Sequence, residues 1–301
     1  MAKLKTKFVC QNCGASYPKW MGKCENCGEW NILIEEIKES IGKNAIAKSV
    51  GKGKILQTQN LDDIISSKKQ DRISTGIDDL DNVLGGGILP AGVLLIAGQP
   101  GIGKSTLLMQ VSSCVAQKKR VLYVSGEESA EQVAGRAKRL NAEKSPNLKF
   151  ASSTSADDIA ETILGGGFDL VVVDSIQTLA MSEISSAAGS VSQITNSSNL
   201  IIQAAKKSGT AVVLVGHITK EGSIAGPKTL EHLVDVVLNF EGDRYGGFKV
   251  VRAIKNRYGS TTEAAIFEMG ENGLEIVENP SAALLAERQN TDGSIILATL
   301  E

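Results

Sequence analysis

Two groups of residues in this sequence have the types and spacing to do chemistry. Near the N-terminus, Cys10 and Cys13 in "CQNCG" and Cys24 and Cys27 in "CENCG" make a C-x2-C-x10-C-x2-C pattern. A glycine follows each pair, Gly14 or Gly28, and can take a positive φ, so backbone amides can turn toward the thiolates. Four soft sulfurs in this arrangement suit tetrahedral Zn2+ in a closed, structural site. Two reactive dithiol pairs are the alternative, but a redox C-x-x-C belongs in a βαβ unit. Farther along, "GVLLIAGQPGIGKSTLLMQV" sets Gly98, Gln99, Pro100, Gly101, Ile102, Gly103, Lys104, Ser105 and Thr106 between an apolar run and a helical one. A G-x4-G-K-S in that context is a phosphate-binding loop. Its backbone amides wrap phosphates, Lys104 reaches the β- and γ-phosphates, and the Ser105 hydroxyl ligates Mg2+.

Other chain segments supply groups that such a loop needs. "DLVVVDS" ends an apolar run with Asp174, placed to orient Mg2+ and its waters. "YVSGEES" offers Glu127 and Glu128, either of which can serve as general base. His217 closes "VVLVGH" and is a candidate sensor of the γ-phosphate, while a structural histidine is the commoner role. In "KVVRAIKNRYGS", Lys255 and Arg257 stand two apart beyond a β-branched run, so on a strand they share one side. A solvated strand end is the simplest reading of that pair.

These residues need a sheet to hold them. The runs "GVLLIAG", "RVLYVSG", "FDLVVVDS", "TAVVLVGH" and "VDVVLNFEG" read as buried parallel strands. Between them the sequence predicts helices over 104–117, 130–140, 156–164 and 191–208. The alternation implies βαβ units, an α/β class with helices on both faces of a mostly parallel sheet. After Phe240 the pattern changes to hairpins, with "ENG" as a turn, and predicts an antiparallel extension at one sheet edge. Cys114 is expected in the core. Residues 1–37 are read as a zinc-binding knuckle, 38–60 as a Lys/Gly-rich flexible linker and 61–280 as the α/β domain. Residues 281–301 read as the start of a linker and strand that is cut off, so the sequence is expected to continue into a further domain.

Bulk properties exclude some classes. The 301 residues carry a formal net charge of -2, so no global field draws the chain to a polyanion. Residues 1–54 hold ten lysines against five glutamates, which confines any such attraction to local segments. No apolar run approaches a membrane span, and the N-terminus lacks the apolar core of a signal peptide. A cytoplasmic location without membrane contact is expected.

The lead-in "STGIDDLDNVLGGGILPAGVLLIAGQPGIGKST" resembles the RecA/DnaB/KaiC group of ATPases. With the four-Cys knuckle, "SGEES", "VVDSIQT", "GHITKEG" and "KNRYG", the resemblance narrows to the RadA (Sms) family of DNA repair proteins. It implies a RecA-like ATPase core that uses ATP, hexameric rings, single-stranded DNA and recombination intermediates as partners, and ATP-driven branch migration, with RecA itself among the expected partners. It also implies a C-terminal Lon-protease-like domain, which this sequence lacks. Lys255 and Arg257 match the family's Lys-Asn-Arg-Phe-Gly motif, Tyr258 replacing Phe, and the resemblance implies that they reach a neighbouring subunit's γ-phosphate. Loops at 180–198 and 218–232 match DNA-gripping positions, with Lys220 and Lys228 as the named contacts. A nucleotide-gated scaffold and a KaiC-like phosphotransferase are the alternatives.

Overall fold

Short strands, a glycine-rich lead-in and a central apolar sheet appear in that order along the chain. The computed structural model describes residues 4–10, 13–30, 32–39, 71–217, 229–242 and 247–278, with single positions at 58, 60 and 62. The proposed linker at 38–60 and tail at 281–301 lie almost wholly outside the described residues, as do Lys220 and Lys228. At the N-terminus, β1 (Leu4–Cys10) pairs antiparallel with both β2 (Ser16–Tyr17) and β3 (Leu33–Glu39). The small core beneath them includes Cys10, Cys24 and Leu33.

The five apolar runs become β4 (Val93–Gly98), β5 (Val121–Ser125), β7 (Leu170–Asp174), β8 (Ala211–His217) and β9 (Val236–Gly242). A further strand, β6 (Leu148–Ser152), joins them beside β5. All six run parallel, and β10 (Lys249–Asn256), β11 (Ala264–Gly270) and β12 (Gly273–Ile276) add the expected antiparallel edge. The order is β12-β11-β10-β9-β4-β8-β7-β5-β6, so β4 lies inside the sheet between β8 and β9. Successive residues of β4 serve opposite faces. Leu94 and Ile96 enter one core, whereas Val93, Leu95 and Ala97 enter the other. This two-sided burial makes the parallel strands continuous apolar runs.

Among the described residues six α-helices cover the sheet: α1 (Asp78–Val83), α2 (Lys104–Val115), α3 (Ala130–Arg139), α4 (Ala156–Leu164), α5 (Val191–Ser208) and α6 (Thr229–Leu233). Two expectations need correction. Residues 191–198, included in a DNA-gripping loop, form the first turns of α5, because Ser190 caps the Gln193 amide and starts the helix there. Cys114 is exposed rather than core, since it faces Gly76 at the rim of α2. The strand β6 carries no long apolar run, being an edge strand with Phe150 partly in solvent.

The lead-in is a structural clasp. Asp81 Oδ1 accepts from the Thr75 amide (2.8 Å) and hydroxyl (2.7 Å), and its Oδ2 accepts from Ser74 Oγ (2.6 Å). The Gly86 and Gly87 amides donate to the Asp81 carbonyl. Arg72 bridges this turn to the far hairpin, donating to the carbonyls of Leu84, Gly87 and Tyr258. Asn256 Nδ2 donates to the Val83 carbonyl (3.2 Å). There the two backbones touch: a Cβ on Gly85, whose φ is +78°, would lie 3.1 Å from Gly259 Cα and from the Tyr258 carbonyl oxygen. The "LGGG" and "KNRYG" motifs therefore form one packed unit.

Gly166 has a similar φ, +71°, but its Cβ would meet nothing within 4 Å. Gly166→Ala should cost only about 1 kcal/mol of backbone strain, whereas Gly85→Ala should cost about 3 kcal/mol, with overpacking added. Urea midpoints of the two variants give the difference, and equal losses would show that the close approach contributes nothing.

Candidate functional site

The metal centre is built from two matching turns. The Gly14 amide donates to the Cys10 carbonyl (2.9 Å) and the Gly28 amide to the Cys24 carbonyl (2.8 Å), with φ of +73° and +78° at the glycines. The four Sγ atoms lie within 4.8 Å of one another, with Cys10–Cys27 and Cys13–Cys24 both at 3.5 Å. A tetrahedron with Zn–S bonds of about 2.3 Å has edges of about 3.8 Å, so these sulfurs fit zinc. Burial pushes the Cys24 thiol up, but hydrogen bonds from Tyr17 Oη (3.3 Å) and the Cys27 and Asn26 amides outweigh it and bring its pKa down to about 6. That favours the thiolate a metal requires.

The second site opens at the C-terminal edge of the parallel strands. The chain leaves β4 through Gly98, turns through Gly101 (φ +76°) and Gly103 (φ +119°), and enters α2 at Lys104. Here β4 pairs with β8 on one side and β9 on the other, and the chain returns to opposite sides of β4. Such a switch point leaves a crevice at the strand ends. The pocket there measures about 280 Å³ and takes in the loop together with Glu127, Glu128, Asp174 and His217. Lys104 is 5% exposed and donates to the Gly98 (2.9 Å) and Gln99 (3.0 Å) carbonyls. Its pKa is lowered by burial, against the charges of Asp174 and Glu127.

Three strand ends deliver the acidic and imidazole groups. Asp174, at the end of β7, accepts at Oδ2 from Tyr123 Oη in mid-β5 (2.7 Å). The Asp174–Ser175 peptide bond is cis. Glu127 Oε1 accepts from Ser175 Oγ and lies 3.6 Å from His217 Nε2. Burial and the Lys104 charge lower the His217 pKa, which favours neutral imidazole, against Glu127 and Asp174. Glu128 is paired instead with Arg136 of α3. Residues of the loop, Glu127, Glu128, Asp174 and His217 thus line one crevice.

Lys255 and Arg257 are not at this pocket. Register places Gly98 beside Phe240 and Phe240 beside Val251, while Lys255 and Asn256 pair with Val237 and Val236 near the other end of β9. Both cations therefore lie at the opposite edge of the sheet. A bulge separates Ala253 from Lys255, yet the two side chains still share a side, since both reach the His232 carbonyl at 3.4 Å. Lys255 also donates to the Glu231 (2.6 Å) and Val234 (2.8 Å) carbonyls at the end of α6. Arg257 Nη1 lies 3.4 Å from Asp235 Oδ1.

Sequence reading passed over Tyr123, Arg136, Ser175 and Asp235. Tyr123 looks like one more apolar position of β5, and Arg136 like a solvated helical cation. Asp235 is 3% exposed; its Oδ2 accepts from the Val93 amide (2.9 Å) and from Lys206. The one available signal was an acidic residue directly before the apolar run "VVLNF".

Fold and pocket define the class: a P-loop nucleotide-binding α/β core of RecA-like architecture, with a zinc ribbon on its N-terminal side. A family model described as an AAA domain matches residues 65–223, and one described as a rubredoxin metal binding domain matches residues 8–35. The DNA repair protein RadA of Bacillus subtilis and that of Halalkalibacterium halodurans are each 46% identical over 303 residues. The RadA of Pseudomonas aeruginosa is 44% identical over 304 residues. Each alignment takes in 100% of this chain, which spans 66% of the length of those relatives. Among solved structures, that of the RadB recombinase matches 68% of this chain and 100% of its own, with a TM-score of 0.53 and 24% identity. The chain belongs to the RadA family. Among the described residues no helix is long and apolar enough to cross a membrane.

Two measurements test these sites. Elemental analysis should find one zinc per chain, lost in Cys13→Ser, and a chelator should remove hydrogen-exchange protection from β1–β3, because metal binding supplies most of so small a unit's folding energy. For Asp235, burial raises the pKa, but Lys206 and the Val93 amide outweigh it and hold it below the ordinary carboxylate value. A depressed folded pKa gives stability that is complete above the unfolded value near 4 and is lost as pH falls through the folded one. Asp235→Asn should therefore be less stable at pH 7 and should lose less on going to pH 3, as read from urea midpoints.

Proposed function

We propose that this chain is the ATPase part of a DNA repair and recombination motor, driven by ATP hydrolysis and assembled as a ring on single-stranded DNA. The observation that carries the proposal is the convergence of Lys104, Ser105, Glu127, Asp174 and His217 on one crevice at the switch point of the sheet. Lys104 holds the β- and γ-phosphates, and Ser105 and Asp174 would hold Mg2+, whose charge would offset that of the phosphate oxygens. Glu127 takes a proton from the attacking water, a step worth about 10²–10⁴ in rate. His217, beside Glu127, reports the state of the γ-phosphate toward the segment that follows β8.

Lys255 and Arg257 cannot serve their own pocket, since they stand at the other sheet edge. Any phosphate that they reach belongs to a neighbouring subunit, which calls for a head-to-tail, ring-forming contact. To act so, both must leave the carbonyls at the end of α6. DNA contact falls to residues 180–190 and to Lys220 and Lys228. Gln193 pins the first of these segments, accepting from the Met181 amide (2.9 Å) and donating to the Ile184 (3.0 Å) and Ser186 (2.9 Å) carbonyls. Support for the DNA role comes from the relatives named DNA repair protein RadA.

ATP turnover with and without single-stranded DNA tests the proposal. Stimulation by DNA is expected, with Lys104→Ala abolishing turnover and Arg257→Ala lowering it by about 10³-fold or more. Arg257→Ala subunits mixed with Lys104→Ala subunits should recover part of the activity, because each variant restores what the other lacks. Turnover indifferent to DNA would favour a nucleotide-gated scaffold.

A further inference from the structure

Beside the proposed base stands a cation with no assigned part. Arg136 projects from the last turn of α3 into the nucleotide crevice, its side chain 13% exposed, and Nη2 is paired with Glu128 Oε1. Local structure holds that pair in place. The capping box of Ser129 and Gln132 starts α3 directly after Glu128, and the Glu128 amide donates to Ser125 Oγ (3.0 Å). The partner atoms, Arg136 Nη1 and Glu128 Oε2, are buried without a hydrogen bond among the described residues. Glu127 differs from its neighbour: it is 40% exposed and faces Ser175 and His217.

We infer that Arg136 is a positioning residue of the nucleotide site, which pins Glu128 to α3 and so leaves Glu127 as the single carboxylate free to act on water. The inference rests on the proposed reading of this pocket as an ATPase site and separates two adjacent glutamates that sequence could not. The charge count gives the reason. Glu127, Glu128 and Asp174 put three negative charges around a pocket that must accept a polyanion, against Lys104 and Arg136. Without the guanidinium, Glu128 is an unpaired carboxylate that repels phosphate and competes for the water and the metal. A planar, permanently charged fork suits this task, since it neutralises and orients at once.

The test combines binding of an Mg2+-bound, non-hydrolysable ATP analogue with steady-state turnover of the full chain, in Glu127→Gln, Glu128→Gln, Arg136→Ala, Arg136→Lys and the double variant Arg136→Ala/Glu128→Gln. Arg136→Ala should weaken analogue binding about tenfold and lower kcat about tenfold, and Arg136→Lys should restore part of both. In the Glu128→Gln background the same substitution should change each by less than about twofold, because the residues act as a pair. Glu127→Gln should lose about 10² or more in kcat at nearly unchanged binding, with Glu128→Gln within about fivefold of wild type. The inference is overturned if Arg136→Ala acts equally in both backgrounds, or if Glu128→Gln is as inactive as Glu127→Gln. Should Arg136→Ala fail to fold, that second comparison still decides. A chain that binds the analogue with the predicted coupling but does not turn over would remove the ATPase reading and leave the pairing of Arg136 with Glu128 standing. A chain that binds no nucleotide would remove both.

Discussion

Asp235 is a carboxylate buried at the start of β9, and separate parts of the chain converge on it. Its Oδ2 accepts from the Val93 amide at the beginning of β4 and from Lys206 near the end of α5, while Oδ1 faces Arg257 beyond β10. Its amide donates to the Val93 carbonyl, and its own carbonyl accepts from the Arg257 amide. A charge in that place is tolerable only with all its partners, since removing one leaves an uncompensated buried ion. The strand that carries the phosphate loop, the long helix over one face and the antiparallel edge are thereby set against one point. The loop at the far end of β4 inherits its position from that anchorage, because a fully buried strand has no freedom to slide.

A division of labour between the two edges of the sheet follows from this arrangement. At the C-terminal edge, strand ends gather lysine, serine, carboxylates and imidazole around a crevice. At the other edge, Asp235, Lys206, Lys255 and Arg257 form a network of charges and carbonyls, clasped to the lead-in by Arg72 and by the contact of Gly85 with Gly259. Under the proposed function, a change at one subunit's phosphate would reach the next subunit through that second edge. The same cations that close the end of α6 within a subunit would then be the ones drawn away across the interface.

Much of this was legible in the sequence because the physics is local. A phosphate loop needs glycines, lysine and a hydroxyl in a fixed run, and a four-Cys ribbon needs two turns with glycine at positive φ. Parallel strands buried on both faces announce themselves as β-branched runs, and four helices fell within two residues of their observed ends. What was hidden depends on register and on partners distant in sequence. Tyr123 reads as apolar until β7 brings Asp174 beside it. Arg136 reads as solvent-facing until Glu128 turns back toward α3. The edge occupied by Lys255 and Arg257 follows only once the register sets Lys255 beside Val237 at the start of β9, and β6 is too polar to stand out as a strand.

The place of β4 in the sheet also fixes when the nucleotide site can come into being. Its two neighbours, β8 and β9, are encoded far downstream, and 142 residues separate Val93 from the Asp235 carboxylate that receives its amide. At synthesis rates of about 5–20 residues per second, roughly 7 to 30 s pass between emergence of the first and of the second. Until β8 emerges, which takes most of that interval, the nascent chain carries an apolar strand with no lateral partner on either side, so its protection on the ribosome is a matter of sequence order as much as of stability.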